Sequence, residues 1–202
     1  PQSVTVITRQ RIEDQNMLSV KDVMAGTPGI SVQNYDADRY SFYSRGFAID
    51  TYLYDGIPTA LTGGAGWAAG ESTIDPIIYD RIEVVRGATG LLTGAGNPSA
   101  AVNFVRKRAG SREFKADLSL GAGSHDTYRA SADLQTPLTE DGRIRGRLVA
   151  AHQQGNSYMD RYSTRKSVIY GTVEADLTDR TVLRLGYHYQ ENSPKSGPWG
   201  GF

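Results

Sequence analysis

The sequence predicts an α+β first half followed by a second half built only of antiparallel β-strands. Three observations carry this. Up to Arg108 short apolar runs alternate with short amphipathic segments, and from Phe114 onward the apolar period becomes two. The composition suits β-structure with many turns, with 23 glycines and 12 tyrosines against 5 phenylalanines. No apolar run approaches the roughly 20 residues of a membrane-spanning helix.

In the first half, "SVTVIT" reads as a strand and "RIEDQN" as a short helix. "SVKDVMA" reads as a second helix, opened by Ser19 with Asp22 three residues on in capping-box spacing and stopped by Gly26 and Pro28. "YLYDGIP" is a strand entering a turn at Asp55-Gly56, with Pro58 preventing simple continuation. Two long polar or Gly-rich stretches, Gln33 to Tyr43 and Thr59 to Thr73, lie between these elements. "RIEVVRG" and "AVNFVRK" can pair as strands, with "TGLLTG" a short helical turn between them.

In the second half each strand divides into an apolar and a polar face. Phe114, Ala116, Leu118 and Leu120 oppose Lys115, Asp117 and Ser119; Tyr128, Ala130, Ala132 and Leu134 oppose Arg129, Ser131, Asp133 and Gln135. Ile144, Leu148 and Ala150 oppose three arginines, and Ile169, Val173, Ala175 and Leu177 oppose Tyr170, Thr172, Glu174 and Asp176. Leu183, Leu185, Tyr187 and Tyr189 oppose Arg184 and His188. "TPLTEDG" and "TDR" read as compact turns, while "GNSYMDRYSTRK" and "ENSPKSGPWGGF" read as longer loops. Short turns at one rim and long loops at the other suit an outer-membrane barrel with its apolar face toward lipid. A soluble sandwich also alternates, so the pattern admits either. A barrel needs at least about eight strands, so the membrane reading expects the polypeptide to continue past Phe202.

Several functions find no support in the residues. Basic and acidic side chains balance at 22 each without a charge block, which argues against a nucleic-acid partner. The chain has no cysteine, and His125, His152 and His188 lack metal-ligand spacing. No lysine follows Gly94 or Gly96 to reach a phosphate, and Asn97-Pro98 prevents a dinucleotide turn from opening a helix there. No HExxH or GxSxG pattern occurs, and no catalytic apparatus is visible.

The segment "RIEVVRGATGLLTGAGNPSAAVNFVRKR" closely resembles the plug domain of TonB-dependent ferric-siderophore receptors. "PQSVTVITRQRIEDQ", "VMAGTPGISV", "YSRGF", "YLYDGIP" and "IDPIIYDRIEVVRG" do so as well, in the family's order and near its spacing. Within that family the likeness is strongest to hydroxamate receptors of the ferric-coprogen and rhodotorulic-acid type. The resemblance implies a plug over residues 1–110 and the first strands of a 22-stranded transmembrane barrel over 111–202. The remaining strands, a signal peptide and the TonB box would lie outside this sequence. It further implies an outer-membrane importer in a Gram-negative bacterium, working with TonB and its inner-membrane complex, embedded in outer-membrane lipid and free of enzymatic activity or resident cofactor.

Iron would arrive only as the ferric siderophore, already saturated by hard oxygens. The receptor then needs aromatic faces and hydrogen-bond donors rather than metal ligands. Tyr35, Arg39, Tyr40, Tyr43 and Trp67, in the two long stretches, are the candidate apex contacts, and Trp199 in "SGPWGGF" is the candidate loop contact. Arg45 of "SRGF" and Arg86 of "VVRG" match the arginines that form a charge cluster with barrel-wall glutamates in the family. The alternatives are another cargo on the same architecture, a catecholate siderophore or cobalamin, and a soluble β-rich binding or adhesion module.

Overall fold

The computed structural model describes residues 3–36, 39–59, 73–87, 98–159 and 161–196. The chain divides after Lys107 into two compact units.

The first unit is organised by a mixed five-stranded sheet. Strand β1 (Ser3–Thr8) leads into helix α1 (Arg9–Asp14) and helix α2 (Val20–Ala25). Strands β2 (Ser31–Asn34), β3 (Tyr40–Ser44) and β4 (Phe47–Ala48) form a small antiparallel sheet of their own. Then come β5 (Thr51–Tyr54), β6 (Ile57–Thr59), β7 (Tyr79–Arg86) and β8 (Ala100–Arg106). The main sheet runs β1-β7-β8-β5-β6, with β5 and β8 parallel and the other neighbours antiparallel. Its core is dry. Ile7, Ile82, Val84, Val102 and Phe104 are fully buried, as are Val20, Val23 and Met24 of α2.

Local chemistry sets the element ends. Thr8 caps α1 by accepting from the Arg11 N–H, and Asn16 leaves it at φ 47°. The helix therefore begins and ends two residues before the expected "RIEDQN". Ser19 caps α2 as expected, accepting from the Asp22 N–H, while the Asp22 carboxylate takes the Ser19 hydroxyl at 2.7 Å and the Leu18 N–H at 3.1 Å. The Asp55-Gly56 turn has both residues at positive φ, 52° and 82°, the geometry that joins two-residue hairpins. Strand β6 continues through Pro58, contrary to expectation. It is the sheet's edge, where a missing N–H costs no ladder bond. Gln33 to Tyr43 is likewise not one long loop, because β2 and β3 pair from Ser31↔Tyr43 to Asn34↔Tyr40. The strands expected from "RIEVVRG" and "AVNFVRK" pair through Glu83↔Asn103, and the "TGLLTG" turn lies outside the described residues.

The second unit is a sheet of five consecutive antiparallel strands: β9 (Lys115–Gly123), β10 (Thr127–Pro137), β11 (Ile144–Asn156), β12 (Ser163–Thr178) and β13 (Thr181–Asn192). Register places Leu118 against Ala132, Leu134 against Leu148, and Val173 against Leu185, all on one face. That face is open. On the central strands Leu148 and Val173 are 45% and 41% exposed while Val149 and Tyr170 of the opposite face are buried, as expected for side chains directed at lipid rather than packed in a sandwich core. The loop "GNSYMDRYSTRK" is shorter than expected, since pairing persists to Gly155↔Thr164 and Asn156↔Ser163, and Ser124 to Asp126 is as tight as the turns at the opposite end. Pairing also extends past β13, where Lys195 bridges Ser163.

Candidate functional site

Four of the expected ligand contacts fall on the β2–β3 hairpin, and strand alternation sorts them. Tyr43 and Ser41 share one face of β3, and Tyr35, just past β2, brings its hydroxyl to 3.1 Å from that of Tyr43. Tyr43 pulls the Tyr35 phenol below its ordinary value, helped by Ser41, and the same bond pushes Tyr43 up. Either hydroxyl can donate in this bond. Tyr40 belongs to the opposite face, where the Lys21 ammonium sits 4.9 Å from its ring centroid. Arg39 closes the hairpin, its carbonyl accepting from the Tyr35 N–H at 2.9 Å. Its guanidinium is ion-paired to the buried carboxylate of Asp36, which also accepts the Arg39 N–H at 2.9 Å. The arginine is therefore oriented before any ligand arrives. Trp67 and Trp199 lie outside the described residues.

The two expected cluster arginines occupy different settings. Arg45 is the first residue of the β3–β4 turn, exposed and at φ 56°, followed by Gly46 at φ 82°. Arg86 ends β7 and lies over the Pro28-Gly29 segment. It donates to the Pro28 carbonyl, and its Nη2 reaches the Thr5 hydroxyl at 3.0 Å. Gly29 sits at φ 77°, and a methyl group there would collide with the Arg86 guanidinium. Backbone and side chain are thus mutually dependent at this point. Three residues earlier on β7, Glu83 accepts from Asn103 Nδ2 at 2.9 Å and Arg81 Nε at 2.7 Å. Burial pushes this carboxyl up, but the two hydrogen bonds outweigh it and hold the group below its ordinary value.

The polar face of the second unit holds an ion-pair network whose members were readable from alternation but whose pairing was not. Arg145 forks onto Asp176 at 2.6 and 2.8 Å, and Arg147 onto Asp133 at 2.8 and 2.7 Å. The nearly inaccessible Glu174 carboxylate takes Arg108 at 3.1 Å and Arg184 at 3.0 Å. Arg145 and Arg147 also donate to the carbonyls of Ala109 and Arg108, each at 3.0 Å, which fastens the start of this unit to β11. The three histidines lie apart in the sequence and on different strands or turns, and among the described residues no group of three or more His, Asp or Glu side chains could hold a metal ion.

Comparison with known proteins agrees with this architecture. The family model of the TonB-dependent receptor plug domain matches residues 1–101. The chain is 50% identical to the ferripyoverdine receptor of Pseudomonas aeruginosa strain PAO1, over 100% of this chain and 24% of that receptor. The crystal structure of the outer-membrane ferripyoverdine receptor of Pseudomonas aeruginosa bound to ferripyoverdine superposes with a TM-score of 0.92 at 48% identity, over 100% of this chain and 26% of that one. The alcaligin outer-membrane receptor FauA of Bordetella pertussis gives 0.84 at 52% identity, over 95% of this chain and 32% of that one. The chain thus spans about a quarter of the length of the curated relative it matches at 50% identity. With the plug model covering half of the chain and its mixed sheet followed by antiparallel barrel-type strands, the chain belongs to the TonB-dependent receptor plug-domain family.

Proposed function

We propose that this chain is the plug and first barrel strands of an outer-membrane receptor that binds a ferric siderophore and imports it by TonB-coupled transport. The observation that carries the reading is the face contrast on the central strands β11 and β12, where Leu148 and Val173 are 45% and 41% exposed while Val149 and Tyr170 of the other face are buried, in a chain whose first half has the plug fold. A soluble protein rarely leaves so continuous an apolar surface uncovered. The identity to a ferripyoverdine receptor supports the siderophore class. The plug would end near Gly110 and the barrel begin at Ser111. TonB, with its inner-membrane complex, supplies the energy, and the protein needs no cofactor or catalytic step of its own.

The finer reading is a hydroxamate cargo of the coprogen type. It rests on the Tyr35–Tyr43 couple and on Arg39 held ready by Asp36, which offer donors to hydroxamate oxygens and faces to the organic backbone, with Tyr40, Trp67 and Trp199 as further contacts. A strongly anionic catecholate complex would call for a denser cationic apex. Arg45 and Arg86 would face glutamates on later barrel strands. The test is uptake of iron-55 as a ferric hydroxamate by cells whose only such receptor is the full-length protein. Uptake that requires TonB is expected. Uptake equal with and without TonB, or none for any ferric siderophore, would sink the proposal.

A further inference from the structure

The chain passes from the first unit to the second without slack. Domain boundaries ordinarily fall in exposed, flexible linkers that few contacts cross. Here each of four consecutive residues, Arg106 to Ala109, has a backbone group held. In the first unit the Arg106 N–H donates to the Asp55 carboxylate and the Lys107 N–H to the Ile78 carbonyl, both at 2.9 Å. In the second unit the Arg108 carbonyl accepts from Arg147 and the Ala109 carbonyl from Arg145, each at 3.0 Å. Lys107 and Ala109 are both buried.

The hold in the second unit is stiff. Arg147 and Arg145 are each fixed by a two-point ion pair, with Asp133 and Asp176, so the N–H groups they offer to the carbonyls are already aimed. The Arg108 guanidinium reaches Glu174 at 3.1 Å, a carboxylate that also takes Arg184. Farther along, the Arg112 side chain lies against the turn at Gly142, φ 66°, where an added Cβ would stand 3.2 Å from the Arg112 Cγ. The two ends of the first unit are unequal. At the N-terminal end β1 is an edge strand that pairs with β7, whereas at the C-terminal end β8 is flanked by both β7 and β5. Under load, elements release in the order of their barriers to unfolding, so the end with fewer holds goes first.

Resting on the TonB-coupled reading above, we propose that Arg145 and Arg147 form a mechanical stop: rearrangement of the plug driven from its N-terminal end is arrested at Lys107, and Arg108–Ala109 keep their place on β11 throughout transport. Both arginines are positioning residues, acting through the backbone they hold and not through the ligand. Without the stop the same pull would pass into β9, the next element of the chain.

The test uses the full-length receptor in cells supplied with a ferric hydroxamate, with and without TonB, and follows maleimide labelling of one introduced cysteine at a time; residues 1–202 contain no cysteine of their own. Ile7→Cys reports on β1 and Ala109→Cys on the held segment, and both positions are fully buried, so each labels only when its surroundings open. Ile7→Cys is expected to label faster with TonB than without, and Ala109→Cys to label slowly and equally in both. Adding Arg145→Ala/Arg147→Ala should make Ala109→Cys label about tenfold faster with TonB than without, as loss of a charged hydrogen bond implies. Arg147→Gln alone should give a smaller ratio, still above one, and keeps the test decisive should the double variant fail to assemble. A merely structural role would raise labelling equally with and without TonB. That result, or TonB-dependent labelling of Ala109→Cys in the otherwise unaltered receptor, overturns the stop alone. Equal labelling of Ile7→Cys with and without TonB overturns the TonB-coupled reading, and the stop with it.

Discussion

At the scale of single residues, the most tightly determined point is Gly29 beneath Arg86. Gly29→Ala should cost about 1–2 kcal/mol for the left-handed backbone alone, and more because the new methyl displaces the guanidinium. Arg86→Ala should remove that second part, so a double-mutant cycle read by protease protection of the plug in the full-length receptor should show coupling. Strict additivity would mean that the two do not meet. Glu83 supplies a pH dependence of definite sign. Its folded value is depressed, so its contribution is complete above the ordinary glutamate pKa of about 4.3 and is lost as pH falls through the lower folded value. Glu83→Gln should weaken plug protection at neutral pH and flatten its decline on acidification; an acid limb identical to wild type would contradict the assignment. The tyrosines and arginines of the hairpin could be singled out by type and motif. That Tyr35 meets Tyr43 while Tyr40 faces Lys21 could not, because it depends on β2–β3 pairing, and the stretch contains no apolar alternation strong enough to reveal a strand.

At the scale of elements, period-two alternation sufficed to find all five strands of the second unit and to sort their faces. It could not fix where the strands stop, since polar residues beyond the apolar band continue the ladder to Asn156↔Ser163 as readily as apolar ones. Loop lengths were therefore overestimated. Alternation also leaves register open, and register is what turns a polar face into defined pairs such as Arg145 with Asp176. Arg145→Ala removes a nearly buried partner that also holds the Ala109 and Gly142 carbonyls. The expected result is a lower denaturation midpoint for the full-length receptor and faster proteolysis between Arg108 and Arg112. Arg145→Lys should recover only part, because an ammonium cannot span both carboxylate oxygens. Full recovery by lysine would show that charge alone matters.

At the scale of the whole molecule, the proposed receptor would present an aromatic and donor-rich plug surface to an iron complex that arrives fully chelated. The measurement that addresses it most directly is a tryptophan-quenching titration of the full-length receptor with a ferric hydroxamate and a ferric catecholate side by side. Saturable binding is expected, tighter for the hydroxamate. Trp199→Ala and Tyr43→Ala should each weaken it about thirtyfold, as loss of an anchoring aromatic at about 2 kcal/mol implies. Joint replacement of His125, His152 and His188 should leave the affinity unchanged. Absence of saturable binding, equal affinity for both complexes, or loss of binding on removal of the histidines would contradict this mode of recognition.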